Sequence, residues 1–240
     1  MKVYSFHHQG KREYQEDSLF IDPLENLFIV CDGVGGHNYG SKASRYVVKS
    51  IEKYYNKYDC QFNVKSLTKV VKKINKSMHN LANIDEALIG MGTTIALVYI
   101  NEDEATVLHV GDSRVYYKKC DDNKYWVTKD HSVVQELFDA GVISSDIGMK
   151  THPLRNRTTR ALYAAQQLSD IEVSVQVIPN VTPGDLFLLC SDGAIEDYTS
   201  DNLISHFSNK DITLESRFDI FKEHCALHSK DNNTSILIVV

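Results

Sequence analysis

Two hydrophobic rhythms alternate along the chain. Apolar side chains first gather in short runs, Leu19–Ile21 and Leu27–Cys31, whose length suits strands buried in a sheet. The period then lengthens. Ala43, Tyr46, Val47, Ile51, Tyr54 and Tyr55 recur at helical spacing after Ser41, which predicts a helix capped by that serine. Val64, Leu67, Val71, Ile74, Met78 and Leu81 step by three and four and leave the lysines outside, predicting a second helix.

From residue 93 the chain returns to strand chemistry. Thr93–Ile100, Ala105–Val110 and Arg114–Lys119 are rich in β-branched and aromatic residues. Asn101-Glu102-Asp103 forms the expected hairpin turn, and Tyr125–Thr128 is a short fourth run. Gln135–Val142 reads as a brief helix ending at Gly141. Ser144–Arg160, with Pro153 inside it, is polar and irregular, and long loops of that kind are often functional. Strands follow at Ile171–Ile178, Leu186–Cys190 and Ser235–Val240, with helices near Asn202–Phe207 and Leu214–His228. Strands and helices come in blocks, without strict alternation. The expected class is therefore α+β, a four-layer αββα sandwich of two antiparallel sheets packed face to face and flanked by helices.

Bulk properties narrow the function classes. The 240 residues, 42% hydrophobic and 24% charged, suit one globular domain spanning 1–240, and no linker or low-complexity stretch divides it. A net charge of −6 argues against a general nucleic-acid binder, and the basic Lys65–Lys76 region reads as the wet face of a helix. The N-terminus lacks the apolar core of a signal peptide, and no run approaches the roughly 18 apolar residues of a membrane span. Cysteines 31, 60, 120, 190 and 225 are scattered and without a C-x-x-C pair, as in a protein with reduced thiols. Cytoplasmic location and a monomeric state are the expectations.

The candidate chemistry is carboxylate. The buried run ending at Cys31 opens into Asp32-Gly33-Val34-Gly35-Gly36, and the run ending at Cys190 opens into Ser191-Asp192-Gly193. Further acids stand at turns or strand ends: Glu16-Asp17 with Arg12 nearby, Asp112 in Gly111-Asp112-Ser113, and Asp231 before Asn232. Each segment alone is an ordinary turn. Together they describe an oxygen-rich cleft suited to hard divalent cations and an anionic ligand. Rival motifs fail. Six residues after the cysteines stand His37, Ser66, Trp126, Glu196 and Asp231, so the Cys-x5-Arg of a cysteine-dependent phosphatase is missing. Gly40-Ser41-Lys42 reverses the Lys-Ser order of a nucleotide P-loop, and Asn38 stands where a dinucleotide fingerprint needs glycine.

The order of motifs resembles the metal-dependent serine/threonine protein phosphatases of the PPM, or type 2C, family, in particular its compact bacterial members. The matching segments are Gly-x-Arg-x-x-x-Glu-Asp at 10–17, Asp-Gly-x-Gly-Gly-His-x-x-Gly at 32–40 and Met91-Gly92-Thr93-Thr94. His109-Val110-Gly111-Asp112-Ser113-Arg114, Thr128-Lys129-Asp130-His131-Ser132 and Arg155–Leu162 follow, then Ser191-Asp192-Gly193 and Asp231-Asn232-x-Thr234. The resemblance implies that Asp32 bridges two Mn²⁺ or Mg²⁺ ions, with the Gly33 carbonyl completing one of them and Asp192 and Asp231 binding the other. It implies that Glu16 and Asp17 act through metal-bound waters, and that Arg12 clamps the substrate phosphate. Asp112 with Asp192 would form a third, weaker metal site, and 132–160 would be a mobile flap. The implied substrates are phosphoserine and phosphothreonine proteins, including those of a partner Ser/Thr kinase.

Two departures from the family pattern stand out. Val34 occupies the place where animal relatives carry a histidine after Asp-Gly, with His37 three residues later and given no role here. The motif that usually ends Arg-Ala-Leu-Gly ends here in Arg160-Ala161-Leu162-Tyr163. The non-enzymatic alternative, a pseudophosphatase serving as an interaction module, would be marked by loss of a metal carboxylate. Asp32, Asp192 and Asp231 are all retained.

Overall fold

Strand alternation builds the layers. Every residue of Leu27–Cys31 is buried, Leu27, Ile29 and Cys31 on one face and Phe28 and Val30 on the other. Such a run can only sit in a sheet covered on both sides. The computed structural model describes residues 1–24, 26–35, 39–58, 61–122, 124–165 and 170–240. Along the chain, β1 (Lys2–His8), β2 (Ser18–Ile21), β3 (Leu27–Cys31) and β4 (Gly33–Val34) precede α1 (Tyr39–Lys57) and α2 (Val64–Ile84). β5 (Gly92–Thr93), β6 (Ile95–Asn101), β7 (Glu104–Val110), β8 (Arg114–Lys118) and β9 (Tyr125–Val127) lead to α3 (Val133–Asp139) and α4 (Asp146–Thr151). β10 (Leu162–Tyr163), β11 (Ser174–Pro179), β12 (Leu186–Cys190), α5 (Ser200–Ser208), α6 (Leu214–His228) and β13 (Asn233–Val239) follow.

The strands form two five-stranded sheets, ordered β1-β13-β12-β8-β9 and β11-β7-β6-β3-β2, and a small sheet β10-β5-β4. Their pairings are antiparallel. Phe28, Val30, Val98, Val107, Val115, Phe187, Leu189, Ile236 and Ile238 fill the space between the large sheets. Helices α1 and α2 bury Val47, Ile51, Leu67, Ile74 and Met78 over Leu27, Ile29, Leu97 and Leu108. On the far side α5 and α6 place Leu203, Phe207, Phe218 and Phe221 over Phe6, Tyr116, Leu188 and Leu237. This is the expected αββα order. Each fully buried side chain of this size contributes about 1.5–3 kcal/mol.

Several local expectations shift. Ser41 is buried inside the first turn of α1, which begins at Tyr39, so it is not the cap. Helix α2 starts where predicted because Asn63 and Ser66 cap one another reciprocally. The Thr93–Ile100 run is interrupted at Thr94, whose amide donates to the Asp32 carbonyl at 2.9 Å. The predicted hairpin turn holds, with Glu102 at φ 54°. Segment 144–160 is less irregular than expected. It contains α4, whose cap Ser145 accepts the Gly148 amide at 3.1 Å. Strand β1 had no counterpart in the apolar pattern, because Phe6 is its one buried residue.

Candidate active site

Six chain segments converge at one end of the sandwich. Asp32 leaves β3 with its amide donating to Thr94 Oγ1 at 2.9 Å and its carbonyl accepting from Thr93 Oγ1 at 2.8 Å. Gly33 follows where no side chain fits: a β-carbon would overlap the Gly40 carbonyl and stand 2.6 Å from the Glu16 carbonyl oxygen. The Gly33 amide donates to that same Glu16 oxygen at 3.2 Å. Asp192 leaves β12 after Ser191, and Asp231 precedes β13. Ser191 locks these two ends together, its amide donating to the Thr234 carbonyl and its Oγ accepting the Thr234 amide, both at 3.0 Å.

The result is a cleft of about 290 Å³ lined by Arg12, Glu16, Asp32, Gly33, Asp112, Asp192 and Asp231, together with Val34, Gly35, Asn156, Thr158 and Asn232. Asp17 does not line it. That residue is 2% exposed behind the cleft, where Oδ2 accepts from Ser191 Oγ at 2.8 Å and Oδ1 has no hydrogen-bond partner. Arg12 forms an ion pair from Nε to Asp231 Oδ1, which raises the pKa of the guanidinium. In this arrangement its fork engages a carboxylate of the cleft. His37 lies outside the described residues.

Crowding of carboxyls sets the electrostatics. Burial, then the charges of Asp17 and Asp192, push the Asp32 carboxyl well above the usual range. Burial also lifts Asp17 to about 7 and, with the charges of Asp192 and Asp130, Asp112 to about 8. Asp192 is raised by burial, against the hydrogen bond it shares with Asp32. Glu16 is raised by burial as well, while Arg12 pulls it down. Five carboxyls thus have raised pKa values, Arg12 and Arg114 offsetting the rise only in part at Glu16 and Asp112, and together they form a largely uncompensated donor set.

Such a set fits a hard divalent cation, which prefers carboxylate, carbonyl and water oxygens. The orphaned Oδ1 of Asp17 points the same way, since desolvated carboxylates are normally paired or bound to metal. Among the described residues, however, no three His, Cys, Asp or Glu side chains are grouped so as to hold a metal ion as they stand. Asp231 is held by Arg12, and Asp32 and Asp192 hydrogen-bond one another. The donor chemistry fits a metal. Asp17 apart, the expected ligands line one cleft without forming a closed cage.

Sequence reasoning missed three supports. Asn232 binds the turn of Arg12 and Glu16 to β13, Thr94 shapes the backbone of Asp32, and Arg114 grips Asp130 beside Asp112. All three stood within the motifs quoted above, but side-chain bonding across the fold leaves no spacing signal. Asn156 and Thr158 of the polar 144–160 segment also reach the cleft.

Residues 6–217 match the family described as Protein phosphatase 2C. The chain belongs to that family. Among protein phosphatase 2C relatives, the serine/threonine phosphatase stp of Listeria innocua is 30% identical over 217 residues, covering 89% of this chain and 83% of the relative. The solved serine/threonine phosphatase PstP/Ppp of Mycobacterium tuberculosis is similar over 98% of this chain and 97% of its own, with a TM-score of 0.84 and 25% identity. A PstP catalytic domain described as a complex with two manganese ions shares the fold at a TM-score of 0.78 and 22% identity. Among the described residues, no helix is long and apolar enough to cross a membrane.

Proposed function

We propose that this protein phosphatase 2C member hydrolyses phosphoserine and phosphothreonine monoesters on proteins, opposing a partner Ser/Thr kinase in the cytoplasm. The observation that carries the reading is the convergence of Arg12, Asp32, Asp112, Asp192 and Asp231 on one cleft. The names of the bacterial relatives support the substrate class. The bound manganese of one structural relative supports Mn²⁺ or Mg²⁺ as cofactor.

The overall reaction joins water to phosphorus and releases an alcohol and inorganic phosphate. Two divalent cations, when bound, supply charge neutralisation and a water of lowered pKa. Asp32, the Gly33 carbonyl, Asp192 and Asp231 are the residues proposed to hold them, with Glu16 and Asp17 acting through bound waters and Asp112 offering a third, weaker position. Arg12 orients the phosphate. Its planar fork matches two phosphate oxygens, and it reaches them by exchanging its Asp231 partner for the substrate. Segment 132–160 acts as a flap over the cleft. Its base is closed by the Ser132–Thr158 bridge, and Asn156 and Thr158 face the cleft.

Phosphate release from a phosphothreonine peptide, followed with Mn²⁺, with EDTA and after Mn²⁺ is restored, tests the reading. Turnover in the first and third conditions alone is expected. Turnover that EDTA leaves untouched, or none with millimolar Mn²⁺, contradicts it.

A further inference from the structure

We propose that Tyr163 forms an aromatic wall beside the phosphatase cleft and selects substrates by the residue next to the phosphorylated one, favouring an apolar side chain there. The inference rests on reading the cleft as a phosphatase site.

Alternation in and after β10 sets its direction. Leu162 and Ala164 are fully buried in the core beneath α1 and α2, whereas Tyr163, 36% exposed, turns to the opposite face. In the small sheet Tyr163 lies opposite Gly92, and Gly92 lies opposite Val34, so the three stand side by side across β10, β5 and β4. A β-carbon on Gly92 would overlap Cδ1 and Cε1 of Tyr163 and stand 3.0 Å from Val34 Cγ2. The tyrosine ring therefore covers the bare Gly92 and reaches the side on which the valine methyl stands, as aromatic residues do over strand glycines.

Val34 and Gly35 line the cleft that holds Asp32 and Asp112. The ring stands beside Val34, which lines the cleft, and so sits at the Val34 edge of the site. Ring and valine make an apolar strip along an otherwise polar, acidic site. A phosphorylated residue seated at the carboxylates would bring a neighbouring side chain onto that strip. An apolar neighbour gains contact there, while a charged one loses solvation.

The test uses the full chain with Mn²⁺ and pairs of phosphothreonine peptides that differ by Ala or Leu immediately before or after the phosphothreonine. Wild type is expected to favour leucine on one side by roughly 10-fold in kcat/KM. Tyr163→Phe keeps that ratio, and Tyr163→Gly brings it to about 1, because the ratio compares two peptides within one variant. Tyr163→Thr, which keeps a strand-forming residue, gives the same readout should the glycine variant not fold. A wild type that treats the peptides alike, or a preference that survives in Tyr163→Gly and Tyr163→Thr, overturns the inference while leaving the phosphatase reading intact. A wild type that hydrolyses neither these peptides nor p-nitrophenyl phosphate overturns both.

Discussion

Asn232 accepts the main-chain N–H of Glu16 through Oδ1 at 2.7 Å, and its Nδ2 donates to the carbonyls of Gln9 and Tyr14 at 2.8 and 2.9 Å. One side chain, 6% exposed, thus fastens the turn bearing Arg12, Glu16 and Asp17 to the strand start bearing Asp231. Asn232→Ala removes these bonds and strands main-chain groups with them. The expected cost is about 2–4 kcal/mol, read as a lower urea midpoint with an unchanged slope. A change below experimental error would show that the turn is held by something else.

Arg114 grips Asp130 with two hydrogen bonds of 2.7 Å, and its third nitrogen donates to the Tyr116 hydroxyl at 3.2 Å. Both side chains of the pair are largely shielded from solvent. Asp130→Ala leaves a desolvated guanidinium without its partner, and a loss of about 3–5 kcal/mol is expected. Arg114→Lys should also destabilise, because an ammonium cannot reproduce the fork. Thermal unfolding of the two variants beside wild type checks both.

Acid should loosen the base of segment 132–160 through His131. Its Nδ1 accepts the Gly111 amide at 3.0 Å, so Nε2–H donates to Ser174 Oγ at 2.9 Å, and the ring stacks on His109 at 4.6 Å. Burial, then the charges of His109 and Arg160, hold its pKa down at about 4. The unfolded chain therefore takes up this proton first. Stability is full above the ordinary value of 6.5 and falls as pH drops from there toward 4. For a half-exposed ring the share is roughly 1–2 kcal/mol after discounting for solvent screening. The fall in urea midpoint between pH 7 and pH 4.5 should be smaller in His131→Asn than in wild type.

Lys150 ties α4 to the turn that follows Asp192. Its Nζ donates to the carbonyls of Ile195 and Glu196 at 2.8 and 3.0 Å. Lys150→Met keeps an unbranched apolar stem and removes both bonds. Hydrogen exchange of the amides in 146–151 should speed up by about 10-fold, corresponding to a loss near 1.4 kcal/mol. Unchanged exchange would mean that packing alone seats the helix. Burial and the Arg114 charge lower the pKa of this amine to about 8, so its charged form is disfavoured in the seated helix. In wild type the seat should therefore tighten as pH rises from that value toward the ordinary 10.5.

Much of the fold was legible because its signals are local. Leu27–Cys31 is apolar throughout and became a strand buried on both faces, and the steps from Val64 to Leu81 became α2. What escaped lacked a local signal. Strand β1 takes its place from pairing along β13, with only Phe6 buried to mark it. The two-residue strands of the small sheet are too short to show a period, and the six-residue α4 rests on its Ser145 cap. In the cleft, carboxylates at the ends of apolar runs could be picked out one by one. Their supports, Asn232, Thr94 and Ser191, act through bonds between distant segments, and the pairing of Arg12 with Asp231 has no trace in the spacing.

The central claim is that the crowded carboxyls of Asp32 and Asp192 hold divalent cations. Equilibrium Mn²⁺ binding, measured by the loss of the free-ion electron paramagnetic resonance signal, tests it directly on wild type, Asp32→Asn and Asp192→Asn. Wild type should bind at least two ions. Asp32→Asn should lose high-affinity binding altogether, and Asp192→Asn should lose part of it. Equal stoichiometry and affinity in the three proteins would contradict the account.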